Sequence, residues 1–164
     1  MPKSVTPNTV IICTGGFDPI HSGHVRYLTE AKSIANVLIV GVNSDAWLTR
    51  KKGKNFMPYS ERVSVVGALG VVDQVLAFDD SDNSANDCIR QVITMYPNDN
   101  IIFANGGDRV VGNIQEFEFC VNANVAIITN IGGAKVTSSS LLLQQWNNEL
   151  LAIQTANSDT SIIL

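Results

Sequence analysis

The chain has little of several things, and each shortage closes an avenue. Its 164 residues include two histidines, three cysteines and five prolines, and only 16% are charged. Cys13, Cys88 and Cys120 are odd in number and widely spaced, so they do not make a disulfide framework. They read as small core thiols in a reducing compartment. No apolar run approaches the ~20 residues that span a bilayer. Met1 to Thr9 carries no secretory pattern, so the chain is expected in the cytoplasm, without a membrane partner. There is no long basic stretch and the formal net charge is -4, so nucleic acid is not an expected partner. The densest basic run, Arg50-Lys51-Lys52-Gly53-Lys54, reads as a loop, too short to coat a duplex and about right for gripping one polyphosphate. Neither an internal repeat nor a linker divides the chain. One domain over residues 1–164 is expected, with a core over about 10–151 and a tail at 152–164.

Hydrophobic residues, in contrast, make up 45% of the chain. They come in short runs apolar on both faces: Val10 to Cys13, Val37 to Val42, Gln74 to Phe78, Ile101 to Ala104 and Val125 to Ile128. Helical spacing lies between them, over about His24–Ala35, a short stretch capped by Asn43-Ser44-Asp45, Ser60–Leu69, Asp87–Tyr96, Ile114–Asn122 and Ser138–Leu151. In the last helix Leu142, Trp146 and Leu150 form one stripe. Doubly buried strands alternating with helices predict an α/β fold. It is a single Rossmann-like domain, a five-stranded parallel sheet with helices on both faces. Sites in such sheets lie beyond the C-terminal ends of the strands. Three unusual loops, at 14–24, 104–109 and 129–139, follow such ends and can converge on one cleft.

The most informative stretch is Thr14-Gly15-Gly16-Phe17-Asp18-Pro19-Ile20-His21-Ser22-Gly23-His24. Two glycines let backbone approach a ligand. A helix beginning near Gly23 aims free N–H groups and its positive dipole end at the same space. His21 and His24 are three apart, so they share a face there. Two imidazoles beside a helix N-terminus suit a phosphate whose charge grows during in-line attack. Zinc ligation lacks a completing cysteine or carboxylate pair, so no protein-held metal is expected. The glycines do not make a GxGxxG dinucleotide loop.

This segment resembles the HxGH signature of the cytidylyltransferase-like nucleotidyltransferase superfamily. Val42-Asn43-Ser44-Asp45, Arg50-Lys51-Lys52-Gly53, Glu61-Arg62, and Gly67-Ala68-Leu69 with Val72-Asp73 resemble the middle of heptose 1-phosphate adenylyltransferases and glycerol-3-phosphate cytidylyltransferases. Gly106-Gly107-Asp108 is similar to the GGD loop of the heptose group, and Val136-Thr137-Ser138-Ser139 to the late ISTT segment. The matches run in order over about residues 10 to 147.

The resemblance implies transfer of AMP or CMP from ATP or CTP to a phosphorylated sugar or polyol, with release of pyrophosphate. His21, His24 and Lys52 would be catalytic, with Lys51 and Lys54 as competitors for the lysine's place. Gly15, Gly16, Phe17, Gly23, Gly107, Asp108, Thr137, Ser138 and Ser139 would bind the nucleotide. Asp18, Arg62, Arg109 and Lys135 would serve the substrate side. Mg2+ would arrive with the triphosphate. A homodimer is implied, with Trp47 as a candidate contact. Gly132-Gly133-Ala134-Lys135 lacks the arginine that glycerol- and choline-type cytidylyltransferases place there. That absence and the GGD loop lean towards ATP. Pantetheine-phosphate and nicotinate-mononucleotide adenylyltransferases share Phe17-Asp18-Pro19-Ile20-His21 and remain alternatives, as does a nucleotide sensor without activity. Ile162-Ile163-Leu164, at the end of the tail, is expected to dock in an apolar groove.

Overall fold

The computed structural model describes residues 7–107, 111–134 and 136–159. The expected positions Asp108, Arg109, Lys135 and the Ile162-Ile163-Leu164 tail segment lie outside them. Five strands, β1 (Thr9–Gly15), β2 (Val37–Val42), β3 (Gln74–Leu76), β4 (Asn100–Gly106) and β5 (Ala126–Ile131), form one sheet in the order β3-β2-β1-β4-β5. Every pairing is parallel. The helices are α1 (Ser22–Ser33), α2 (Asp45–Lys52), α3 (Tyr59–Gly67), α4 (Asn86–Met95), α5 (Phe117–Asn122) and α6 (Ser139–Asp159).

Strand alternation divides the core in two. Val10, Ile12, Ile39 and Phe103 point to one face, where Cys88, Ile89 and Val92 of α4 and Cys120 of α5 cover them. Ile11, Cys13, Leu38, Val40 and Ala104 point to the other, against Leu28 and Ala31 of α1 and Val66 of α3. Burial on both faces is why these strands read as continuous apolar runs rather than as alternation. All three thiols are buried and unpaired. Burial pushes Cys13 and Cys88 up to about 12 and Cys120 up to about 11.

Three local expectations are corrected. The basic stretch at 50–54 is not a loop: Arg50, Lys51 and Lys52 form the last turn of α2. Ser44 caps that helix at its start, and Gly53 ends it in the left-handed region at φ 86°. Three cations there also meet the negative end of the helix dipole. The helix expected over Ile114–Asn122 begins only at Phe117, because Glu116 turns inward and its carboxylate accepts the Ala85 N–H at 2.8 Å. The final helix runs past Leu151 to Asp159, since residues 152–159 contain no glycine or proline to stop it. Its stripe is not packed in this chain: Leu142 and Leu150 are exposed, and Trp146 is 60% exposed.

Candidate functional site

The sheet changes direction between β1 and β4. The chain leaves β1 towards β2 and β3, then crosses back to β4 and β5. At such a switch point the connecting loops part and leave a crevice. A cleft of about 720 Å³ lies there, and all three loops picked out in the sequence contribute to its lining. Gly15, Gly16, Phe17, His21, Gly23, His24, Lys52, Gly107, Thr137, Ser138 and Ser139 line it.

The two histidines build the start of α1. His21 is its N-cap, and its Nδ1 accepts the Gly23 N–H at 3.1 Å. The Nδ1 of His24 accepts the His21 N–H at 3.2 Å. This is a capping box made of two imidazoles, in place of the usual serine and glutamate. A ring nitrogen that accepts carries no proton, so each neutral ring bears its proton on Nε2. The rings stack with centroids 3.9 Å apart at 29°. Burial, then His21, then Lys52 pull His24 down to about 3. At neutral pH His24 is therefore an uncharged donor. Gly23 is required by this packing: a Cβ there would fall 2.9 Å from His21 Cε1.

Gly15 and Gly16 do not carry the left-handed backbone of this loop. Phe17 carries the left-handed backbone, at φ 49°, with its ring buried and 5.0 Å from the His24 ring. A non-glycine residue in that region costs about 1 kcal/mol or more and persists where its surroundings fix it. The Asp18–Pro19 peptide bond is cis.

Asp18 and Arg62, expected on the substrate side, are corrected to anchors. Asp18 is 1% exposed and accepts the Phe56 and Met57 N–H groups at 2.8 and 2.6 Å. Arg62 is fully buried at 0% and lies outside the cleft lining. Its guanidinium donates to the carbonyls of Gly16, Asn43 and Met57 at 2.8, 2.7 and 3.1 Å, and to Asp45 at 2.7 Å. It ties the ends of β1 and β2 to the loop before α3, with four of its five N–H donors engaged inside the protein. An Arg fork that satisfies three carbonyls and a carboxylate explains how a charge can be wholly buried.

Lys51 and Lys52 reach the cleft from the end of α2, whereas Lys54 is not in its lining. Trp47 also lines the cleft, with the Lys51 ammonium 4.3 Å from its ring centroid. Arg50 turns away and donates to the Asp80 carbonyl at 2.6 Å and to Asn83 at 3.0 Å, joining α2 to the loop after β3. On the far side, Ser138 Oγ accepts the Leu141 N–H at 3.1 Å and caps α6. Ser139 Oγ donates to the Pro19 carbonyl at 2.8 Å. That bond brings the N-terminus of α6 beside the histidine loop.

Sequence reasoning missed Tyr27, Asn105 and Glu116. Tyr27 Oη donates to the Ala104 carbonyl at 2.7 Å, clasping α1 to the end of β4. Asn105 lay inside a loop already singled out, but nothing marked it apart from its glycines. Glu116 was hidden by the helix expected across it.

A profile of cytidylyltransferase-like proteins matches residues 12–153. The chain belongs to the cytidylyltransferase-like nucleotidyltransferases. This nucleotidyltransferase is 39% identical over 101 residues to the bifunctional protein HldE of Proteus mirabilis, covering 60% of this chain and 20% of that protein. It is 33% identical over 135 residues to the bifunctional protein HldE of Geotalea uraniireducens, covering 79% of this chain and 26% of that protein. The nucleotidyltransferase thus spans about a quarter or less of those relatives. The crystal structure of a lipopolysaccharide core biosynthesis protein from Thermoplasma volcanium superposes with a TM-score of 0.59 at 25% identity, covering 78% of this chain and 99% of that one. A structure from Vibrio parahaemolyticus described as a nicotinate-nucleotide adenylyltransferase has a TM-score of 0.59 at 14% identity, covering 83% of this chain and 84% of that one, which shows the fold alone.

Proposed function

We propose that this nucleotidyltransferase transfers AMP or CMP, with ATP the preferred donor over CTP, to a phosphorylated sugar or polyol and releases pyrophosphate. The observation that carries this reading is the pair of Nδ1-accepting histidines at the mouth of α1, both lining the cleft. Their tautomer supplies Nε2–H donors to a phosphate without adding a charge that must be desolvated. Such donors contribute most where charge develops, on the α-phosphate oxygens as the acceptor phosphate attacks. Lys52 screens the phosphates from the end of α2. Thr137, Ser138 and the first N–H groups of α6 receive the β- and γ-phosphates as they leave. Gly107 lies against the nucleoside.

A Mg2+ ion would enter with the triphosphate, held mainly by the phosphate oxygens. When bound, the ion supplies further neutralisation of the phosphate oxygens. The protein's own groups orient and screen, as this chemistry requires.

The relatives named HldE support a sugar phosphate as acceptor over the pantetheine-phosphate and nicotinate-mononucleotide alternatives. Three buried thiols fit a reducing cytoplasm. Among the described residues no helix is long and apolar enough to cross a membrane. The exposed stripe of Leu142, Trp146 and Leu150 on α6 supports a homodimer. Pyrophosphate release with ATP and CTP against a panel of sugar, polyol, pantetheine and nicotinate phosphates tests the reading. Turnover confined to the last two, or nucleotide binding without turnover, refutes it.

A further inference from the structure

The cleft has a second wall that the phosphate chemistry does not use. Glu116 and Asn105 both line it and are each only 5% exposed. One Glu116 oxygen is occupied by the Ala85 N–H at 2.8 Å, while Oε2 is buried without a hydrogen-bond partner. Asn105 Nδ2 is likewise buried without one. Leaving such groups unpaired costs about 1–3 kcal/mol each, and more for a charged one. Native structures rarely tolerate this except where a ligand completes the set.

The two residues share one side of the sheet. Phe103 faces the core beneath α4 and α5, while Ala104 faces α1. Asn105 follows in alternation on the α4 and α5 side. Gly106 confirms the phase, since a Cβ there would meet the Tyr27 ring of α1 at 3.1 Å. Glu116 reaches the same side through its bond to the start of α4.

In-line attack then decides which ligand meets this wall. The N-terminus of α6 follows β5, and α2 with the loop after β3 lies across β1 from it. If pyrophosphate leaves towards α6, the attacking phosphate must arrive from the α2 side. Its carbon skeleton then lies between the basic end of α2 and the wall held by Ala85. We propose that Glu116 and Asn105 read the hydroxyls of the acceptor, and so select a phosphate ester whose skeleton carries adjacent free hydroxyls. Glu116 Oε2 accepts from one hydroxyl and Asn105 Nδ2 donates to another. The same carboxylate repels an acceptor that carries a negative group away from its phosphate. This inference rests on the donor and acceptor assignment under Proposed function.

The test is steady-state pyrophosphate release by the full chain, with ATP, a hexose 1-phosphate and its monodeoxy forms. Glu116→Gln keeps the shape and the acceptor for Ala85, but turns the orphan oxygen into a donor. We expect it to raise the acceptor KM by ~10- to 100-fold, the span of a lost charged hydrogen bond. The KM for ATP should stay within about 2-fold. The preference of the parent protein for the full sugar over at least one monodeoxy form should disappear. Asn105→Ala, read the same way, serves if Glu116→Gln does not fold. A rise in the ATP KM instead, or an unchanged acceptor KM and deoxy preference in both folded variants, overturns the inference and leaves the proposed function standing. Turnover only with acceptors other than sugar or polyol phosphates overturns both. If nothing is turned over, calorimetry with hexose 1-phosphate decides. Binding that Glu116→Gln weakens supports the hydroxyl wall and refutes the transfer reaction, and no binding or unaltered binding overturns the wall.

Discussion

His24 offers a quantitative check because its environment holds it neutral. Its ordinary value near 6.5 falls to about 3, through burial first, then the stacked His21 and Lys52. The unfolded chain binds a proton at this residue below pH about 6.5, and the folded chain does not until about 3. The stabilisation is therefore complete above the unfolded value and drains away as pH falls. Over that window one group costs about 1.4 kcal/mol of folding stability per pH unit, or ~3 kcal/mol between neutral pH and pH 4. Urea unfolding of the protein and of His24→Asn, run from pH 7 to about pH 4, isolates it. Asparagine can still accept the His21 N–H but does not titrate. The gap between the two stabilities should change with pH by about the slope above, in favour of the variant at low pH. Nitrogen-detected NMR of the free enzyme should show His24 Nδ1 bare and Nε2 protonated throughout that range. A His24 titration midpoint near 6.5, or a stability gap independent of pH, would refute the neutral-donor argument.

Further outcomes follow from the same geometry. His24→Asn should lower kcat by ~10²-fold or more while pyrophosphate release is assayed at saturating substrate, because the Nε2–H donor is lost. His24→Gln, which restores a donor near that position, should recover part of it. Lys52→Ala should reduce turnover at least 10-fold and Lys54→Ala should change it little, since Lys54 stands outside the cleft lining. A reversed order would show that the wrong cation was chosen. Arg62→Met should cost about 3–5 kcal/mol in urea unfolding, as it strands Asp45 and three carbonyls at once. A loss below ~1 kcal/mol would show that water replaces the fork. Trp146→Ser should shift the assembly to monomer by light scattering if the α6 stripe joins two copies, and an unchanged mass would remove α6 from the interface.

The sheet was legible because each strand is buried on both sides, and such runs leave little freedom of register or class. The histidine site was legible because its helix cap, glycine and imidazoles are neighbours in sequence. Arg62 was misplaced because its partners Gly16 and Asn43 are 46 and 19 residues away, a distance no local pattern encodes. Nothing local marks Phe17 as the left-handed residue, since a bulky side chain disfavours that region. Glu116 stands within the helical spacing of Ile114–Asn122, and nothing near it in sequence marks it as buried. Only its bond to Ala85, 31 residues away, turns it inward. Long-range side-chain to backbone bonds thus account for most of what the sequence concealed.

The proposed reaction is nucleotidyl transfer at the two-histidine cleft to a sugar or polyol phosphate. The most direct measurement is a matrix of pyrophosphate release, with ATP and CTP against sugar 1-phosphates, glycerol 3-phosphate, pantetheine phosphate and nicotinate mononucleotide. The fastest release is expected with ATP and a sugar 1-phosphate, abolished in His21→Ala and His24→Ala proteins that still fold. Release with only pantetheine phosphate or nicotinate mononucleotide, or nucleotide binding with no release for any pair, would contradict it.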